Sequence, residues 1–314
     1  MGYIKNPSDN GQSWRESAAN DSASIWHGFD SKNNGKDKFF KSETLPNGTK
    51  ALSESGSIAS SGNRLLAGVY GNQSSLPASL WTPNNITTSA WFDASDASTI
   101  TESANKVSQW DDKSGNSKHA VQATGSQQPT YKPTDANMNG MGSIGVTSNT
   151  GAKGLEVPSF GAKICYTVIR NDNANFSSFD VLLAGALDRY LVRGSSGTPD
   201  FYTIGTLEFN DFTYKNGSTV STALNVLPMP TATIFKFESA AIREQTWSFG
   251  FGNQWAGNNR TWDGAYSEFI FTDGTEDLST QQKIEGYLAW KWGTEASLPV
   301  SHPYKSAPPY IDAY

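Results

Sequence analysis

The sequence predicts an all-β fold: a two-sheet antiparallel sandwich with one C-terminal helix and an extended N-terminal arm. Three observations lead there. After residue 80 the chain becomes a succession of short β-branched and aromatic runs separated by turn residues, the rhythm of a sandwich. Charged residues make up only 17% of the chain, against about 25% in an average globular protein. Ser, Thr, Asn, Gln and Gly fill the difference, which suits polar loops on a sheet scaffold better than a helical bundle. A single stretch near the end carries helical periodicity.

A length of 314 residues suggests two domains, or one large β domain with an extension. Residues 1–80 are rich in Ser, Asn, Gly and Lys and show no periodic pattern able to fill a core. Short strands are expected over Ala23–Phe29 and Arg64–Val69. Isolated aromatics, among them Trp14, Trp26, Phe39 and Phe40, suit anchors in an assembly contact, since aromatics bury large areas. The expectation is a docking arm over 1–80, joined at Leu80-Trp81-Thr82-Pro83 to a second domain over 81–314.

In that second domain strands are expected over Ala90–Phe92, Val107–Trp110, Ala120–Gln122, Ile144–Val146, Leu155–Val157 and Ile164–Arg170. Val181–Ala184, Tyr190–Arg193, Phe201–Ile204, Leu207–Tyr214, Thr233–Phe237, Trp247–Phe251 and Ala265–Phe271 follow. Asn216-Gly217 is a hairpin signal, because both central positions of the tight turn need positive φ. Asp273-Gly274 ends the last strand. Ser279 with Gln282 has the form of a capping box at a helix start. Ile284, Tyr287, Leu288 and Trp292 then share one helical face, and Gly293 sits where a C-cap belongs. Trp290 lies off that face, and the tail from Leu298 to Tyr304 is the nearest cover for it.

A net charge of −6 with no Lys/Arg tract argues against a nucleic-acid surface. No apolar run reaches the roughly 20 residues a membrane helix requires. The N-terminus lacks the basic and apolar regions of a secretory signal. The one cysteine, Cys165, stands in an apolar run and is expected to be buried. A lone thiol forms no internal disulfide, and with only His27, His119 and His302 beside it, Cys and His are too few for a structural zinc site. These features suit a chain made in a reducing cytoplasm.

No reaction centre emerges. The Glu-x-Asp-x-x-Glu run of sheet glucanases is missing; Glu208 and Asp211 are three apart and so point to opposite faces of a strand, and Glu268 stands alone. A nucleophile elbow, a phosphate loop and a dinucleotide fingerprint are equally missing. His119 and His302 read as surface or tail residues. The chain is therefore expected to be no enzyme and to need no cofactor.

Two motifs together resemble a known family. The first runs Ala90-Trp91-Phe92-Asp93-Ala94-Ser95-Asp96, then Val107 through Asn116, then Ala120-Val121-Gln122 and Gln128-Pro129. The second runs from Trp262-Asp263-Gly264 through Ile284–Gly293 to Leu298-Pro299, His302-Pro303-Tyr304 and Ala307-Pro308-Pro309. They resemble the LamG-like, concanavalin A-like jelly-roll domains of bacterial surface proteins and tailed-bacteriophage structural proteins. The likeness spans about residues 80–310. It implies a jelly-roll form of the sandwich and a non-enzymatic virion protein, made in the host cytoplasm, that decorates a capsid or forms part of a tail or fibre. It also implies an oligomeric assembly with other virion proteins as partners.

Asp93, Asp96, Asp111 and Asp112 flank turns, where carboxylates cap backbone N–H groups. A second reading is a Ca²⁺ site, which some members of the family carry and which takes clustered oxygens. The alternative function is recognition of a host-surface glycan. The loop Gly252–Arg260 offers Trp255 for stacking and Asn253, Asn258 and Asn259 for hydrogen bonds; packing of Trp255 on its own loop or a neighbouring subunit is the plainer role.

Overall fold

A computed structural model describes residues 80–146, 153–172, 180–185, 190–195, 198–202, 212–220, 229–251 and 260–311, with the backbone of five strands between 2 and 54. The chain divides into two compact units, Met1–Pro77 and Ala78–Asp312. In the first, β1 (Gly2–Lys5) pairs with β2 (Trp14–Ser17). A separate three-stranded sheet orders β3 (Ile25–Phe29), β4 (Asp37–Thr44) and β5 (Lys50–Glu54). The segment expected to be an extended arm thus carries antiparallel strand pairs. Its register sets Trp26 opposite Phe40. Arg64–Val69 lies outside the described residues.

Among the described residues the second unit holds fourteen strands in one hydrogen-bonded network. They begin with β6 (Ala90–Asp93), β7 (Ile100–Ser103), β8 (Lys106–Trp110), β9 (Ala120–Val121), β10 (Thr130–Asp135) and β11 (Met141–Val146). The 17-residue β12 (Leu155–Asn171) follows, then β13 (Val181–Gly185), β14 (Tyr190–Ser195), β15 (Thr198–Tyr202), β16 (Phe212–Lys215) and β17 (Ser218–Val220). The 21-residue β18 (Met229–Phe249) and β19 (Gly264–Thr272) complete the sheet, and α1 (Leu278–Lys291) is its one α-helix among the described residues.

The all-β class with a single late helix is therefore observed. The division into two sheets of a jelly-roll sandwich is corrected. Strands β12, β9, β8, β10, β11 and β19 hydrogen-bond in a closed circuit, with β19 returning to β12. The closure depends on β12: its first half meets β9 through Glu156 and Val121, and its second half pairs with β19 from Ile164 to Asn171. On its other side β12 pairs with β18 along almost its whole length.

Leu155–Val157 and Ile164–Arg170, read as two strands, are one. The same holds for Thr233–Phe237 and Trp247–Phe251, merged in β18. The polar stretches between them resemble turns in sequence. In the fold each stretch supplies the other's backbone partners, with register shifts near Pro158 and Lys163 absorbing the irregular residues. Strand β10 escapes a sequence reading because Pro133 interrupts it, at a register shift against β11.

Two apolar clusters lie on opposite faces of β12 and β19. Cys165 and Ile169 of β12 join Phe92, Trp110, Phe249, Phe269 and Phe271 in the first cluster. Ile164, Tyr166 and Val168 point the other way and meet Ile284, Leu288 and Trp292 of α1. In β19 a bulge alters the alternation: Val168 faces Glu268 and Ile169 faces Tyr266, so Ser267 has no opposite residue. Tyr266 and Phe269 consequently enter the same cluster although they are three apart, and Glu268 turns toward the helix. The buried Cys165 thiol is pushed well above its ordinary pKa by desolvation.

The helix starts two residues before the expected position. Asp277 is the N-cap, its carboxylate accepting from the Thr280 N–H at 2.8 Å, rather than Ser279. Its end is as expected: Gly293 has φ +68°, and the Thr294 N–H donates to the Ala289 carbonyl at 2.8 Å, closing a Schellman turn. The Trp290 indole donates to the Tyr304 carbonyl at 2.8 Å, so the tail does cover it. Asn216 and Gly217, with φ of +49° and +76°, join β16 to β17.

Gly286 is fixed by that tail, since a Cβ there would lie 2.6 Å from Tyr304 Cβ. Gly286→Ala is expected to cost about 1–3 kcal/mol by overpacking, despite the ~1 kcal/mol by which alanine favours a helix. Denaturant unfolding checks this. The same change in a Tyr304→Gly background, which removes that Cβ, should cost nothing.

Candidate functional site

The best-built polar site lies between β6, β19 and the end of α1. In β6, Ala90 and Phe92 face the first apolar cluster, so Trp91 and Asp93 face the helix side. The β6–β19 register sets Asp93 directly opposite Glu268. Two facing carboxylates repel unless a cation lies between them. Lys291, in the last turn of α1, supplies it: Nζ is 2.7 Å from Asp93 Oδ1 and 2.8 Å from Glu268 Oε2.

Glu268 is fully buried and accepts from three more donors. The Trp91 indole donates to Oε1 at 2.9 Å, the Tyr287 hydroxyl to Oε1 at 3.0 Å and the Trp292 indole to Oε2 at 2.7 Å. Burial pushes its pKa up, and the Asp93 charge adds to that; Lys291 and the hydrogen bonds oppose it without cancelling it.

On the outer side, the Lys113 ammonium is 3.1 Å from Asp93 Oδ2 and 2.8 Å from Asp96 Oδ2, above the Trp91 ring. Its backbone N–H donates to the Trp91 carbonyl at 2.7 Å, which fixes the loop on β6. Burial alone raises Asp93, but Lys291, Ser95 and Lys113 together hold it below its ordinary value. Asp96 is lowered to about 2, by Lys113 first and then Ser98.

The four aspartates proposed for a metal take different places. Asp93 and Asp96 share Lys113 and accept from the N–H groups of Ser95 and Ser98. Asp112 accepts from the N–H groups of Trp91, Ser114 and Lys118. Asp111 stands apart with His119, 3.1 Å away. Three of the four thus cap turns or strand ends, and among the described residues no three His, Cys, Asp or Glu side chains form a metal-binding group. The glycan candidates Asn253, Trp255, Asn258 and Asn259 lie outside the described residues. Trp14, Trp26, Phe39 and Phe40 lie on described backbone in β2, β3 and β4.

Sequence reasoning missed two features. Glu268 does not stand alone; the clue was a carboxylate inside the otherwise apolar strand AYSEFIF, beside the AWFDA of β6. His302 is not a surface tail residue either. It is buried, with Nε2 3.2 Å from Glu285 Oε2. Because Nδ1 accepts from the Tyr304 N–H at 3.2 Å, Nε2 is the nitrogen that donates to Glu285. Lys236 closes this second set, 2.9 Å from Gln281 Oε1 and above the Tyr214 ring.

Compared with known proteins, the chain matches no family model, no curated protein and no solved structure. Among the described residues no helix is long and apolar enough to cross a membrane.

Asp93, Asp96, Asp135, Asp273 and Asp277 all have lowered pKa values. The stability each contributes is complete above the ordinary carboxylate value of about 3.9 and is lost as pH falls through its folded value. Glu268 has the opposite sign, losing stability as pH rises through its raised value. Unfolding midpoints should therefore fall between about pH 4 and about pH 2. Asp96→Asn should flatten part of that fall; an unchanged slope would remove Asp96 from the account.

Proposed function

We propose that this chain is a non-enzymatic structural protein of a tailed-bacteriophage virion, a capsid decoration or a tail or fibre component. In this reading residues 1–80 attach it to neighbouring virion proteins and the β-rich unit is displayed. One observation carries most weight. The two motifs behind the resemblance, around Asp93 and around Lys291, supply the two halves of the Glu268 cluster. Their polar residues join strand to helix, and Glu268 is fully buried. Such a cluster suits a rigid building block better than a reaction centre, which must leave a position open to substrate.

The test is quantitative mass spectrometry of virions purified from the phage that encodes the chain. Hundreds of copies per particle support decoration, and a handful support tail or fibre. Absence from washed particles overturns the proposal.

A second reading rests on the composition of Gly252–Arg260, where Trp255 lies among Gly and Asn between β18 and β19. Sugar binding on a glycan array that Trp255→Ala removes would support host-surface recognition. Equal or absent binding by both proteins ends it.

A further inference from the structure

We propose that Lys291 and Asp93 are joined by an amide bond that the folded chain forms by itself, with Glu268 as the proton relay. The geometry has the three parts this condensation needs. An amine touches a carboxyl group, Nζ to Oδ1 at 2.7 Å. A second carboxyl group touches the same amine at 2.8 Å and lies opposite Asp93 in the strand register. A covered site excludes water: Glu268 is fully buried, Asp93 nearly so, and the Trp91 and Trp292 indoles and the Tyr287 hydroxyl close over the relay.

The step balances without an oxidant or co-reactant. Glu268 Oε2 takes a proton from Nζ and frees its lone pair. Nζ attacks Asp93 Cγ, forming the N–C bond. The Lys113 ammonium, 3.1 Å from Oδ2, stabilises the negative charge that develops there. Glu268 returns the proton to Oδ1, the Cγ–Oδ1 bond breaks, and Oδ1 leaves as water with the two protons shed by nitrogen. The product amide keeps Oδ2 as its carbonyl oxygen, against Lys113, and its N–H faces Glu268.

Burial drives the reaction in this direction. In bulk water an ion pair of this kind is solvated and stable. Here two charges sit where desolvation is costly, and condensation replaces them with one neutral, hydrogen-bonded amide. Contact between the reacting groups supplies the high effective concentration that an intermolecular amidation lacks. The raised pKa of Glu268 fits a group that holds and returns a proton. The alternative partners are less suited. Lys113 and Asp96 are more exposed, and the Glu268 carboxylate is held by its two indoles and the Tyr287 hydroxyl.

The intact mass of the denatured full-length protein decides. The wild type is expected to be lighter than its sequence by one water. Digestion and tandem mass spectrometry should recover a branched peptide linking Asp93 to Lys291. Lys291→Met and Asp93→Ala should restore the full mass, and Glu268→Gln should leave most chains unlinked. A wild-type chain at full mass overturns the proposal. So does a lost water that maps to a succinimide at any aspartate, or one that persists in Lys291→Met. The wild-type measurement stands even if a variant fails to fold.

Discussion

Replacing Glu268 by leucine is expected to destabilise the second unit by about 3–5 kcal/mol, as seen when one partner of a buried charge pair is removed. The size comes from what is left behind. The indole N–H groups of Trp91 and Trp292 and the Tyr287 hydroxyl lose their shared acceptor, and Lys291 keeps only Asp93 and the Tyr287 oxygen. Each stranded buried donor costs about 1–3 kcal/mol. Denaturant unfolding at neutral pH measures the loss. A change below about 1 kcal/mol would mean that water or neighbouring groups replace the carboxylate.

The second large effect is expected at Trp110. It is fully buried at the centre of the first apolar cluster, with ring centroids of Phe92 at 5.3 Å, Phe249 at 6.1 Å and Tyr266 at 6.2 Å. Trp110→Ala should cost about 3–5 kcal/mol through lost burial and the cavity it opens. Its indole N–H has no hydrogen-bond partner among the described residues. Trp110→Phe therefore sacrifices packing alone and should cost about 1–2 kcal/mol. Equal losses for the two variants would show that the indole N–H is satisfied after all.

Much of this was legible in the chain. Alternating apolar residues and turn dipeptides located most strands, because period-two burial and positive-φ turns are local properties. The Asn216-Gly217 hairpin and the Gly293 stop are of this kind. The continuity of β12 and β18 was not legible, because their polar middles are held by each other across more than 70 residues of sequence. Closure of the strand circuit depends on the same pairing. The Glu268 cluster was hidden for a related reason. A bulge at Ser267 shifts the face on which Glu268 lies, and its partners come from two other segments, β6 and the end of α1. Asp93 reads as a turn cap or metal ligand because one of its two countercharges, Lys291, lies about 200 residues away.

The Leu80–Tyr310 bridge has a mechanical consequence. These residues pair antiparallel, and the Trp81 N–H donates to the Pro309 carbonyl at 3.0 Å. The chain thus enters and leaves the second unit side by side. Tension applied through residues 80 and 310 meets this short contact end-on and opens it as a zipper, one hydrogen bond at a time. The load then passes to β6 on one side and to the tail on the other, where the Tyr304–Trp290 and His302–Glu285 contacts meet it before α1 does. The unit is built to yield at its threshold while its interior stays unloaded.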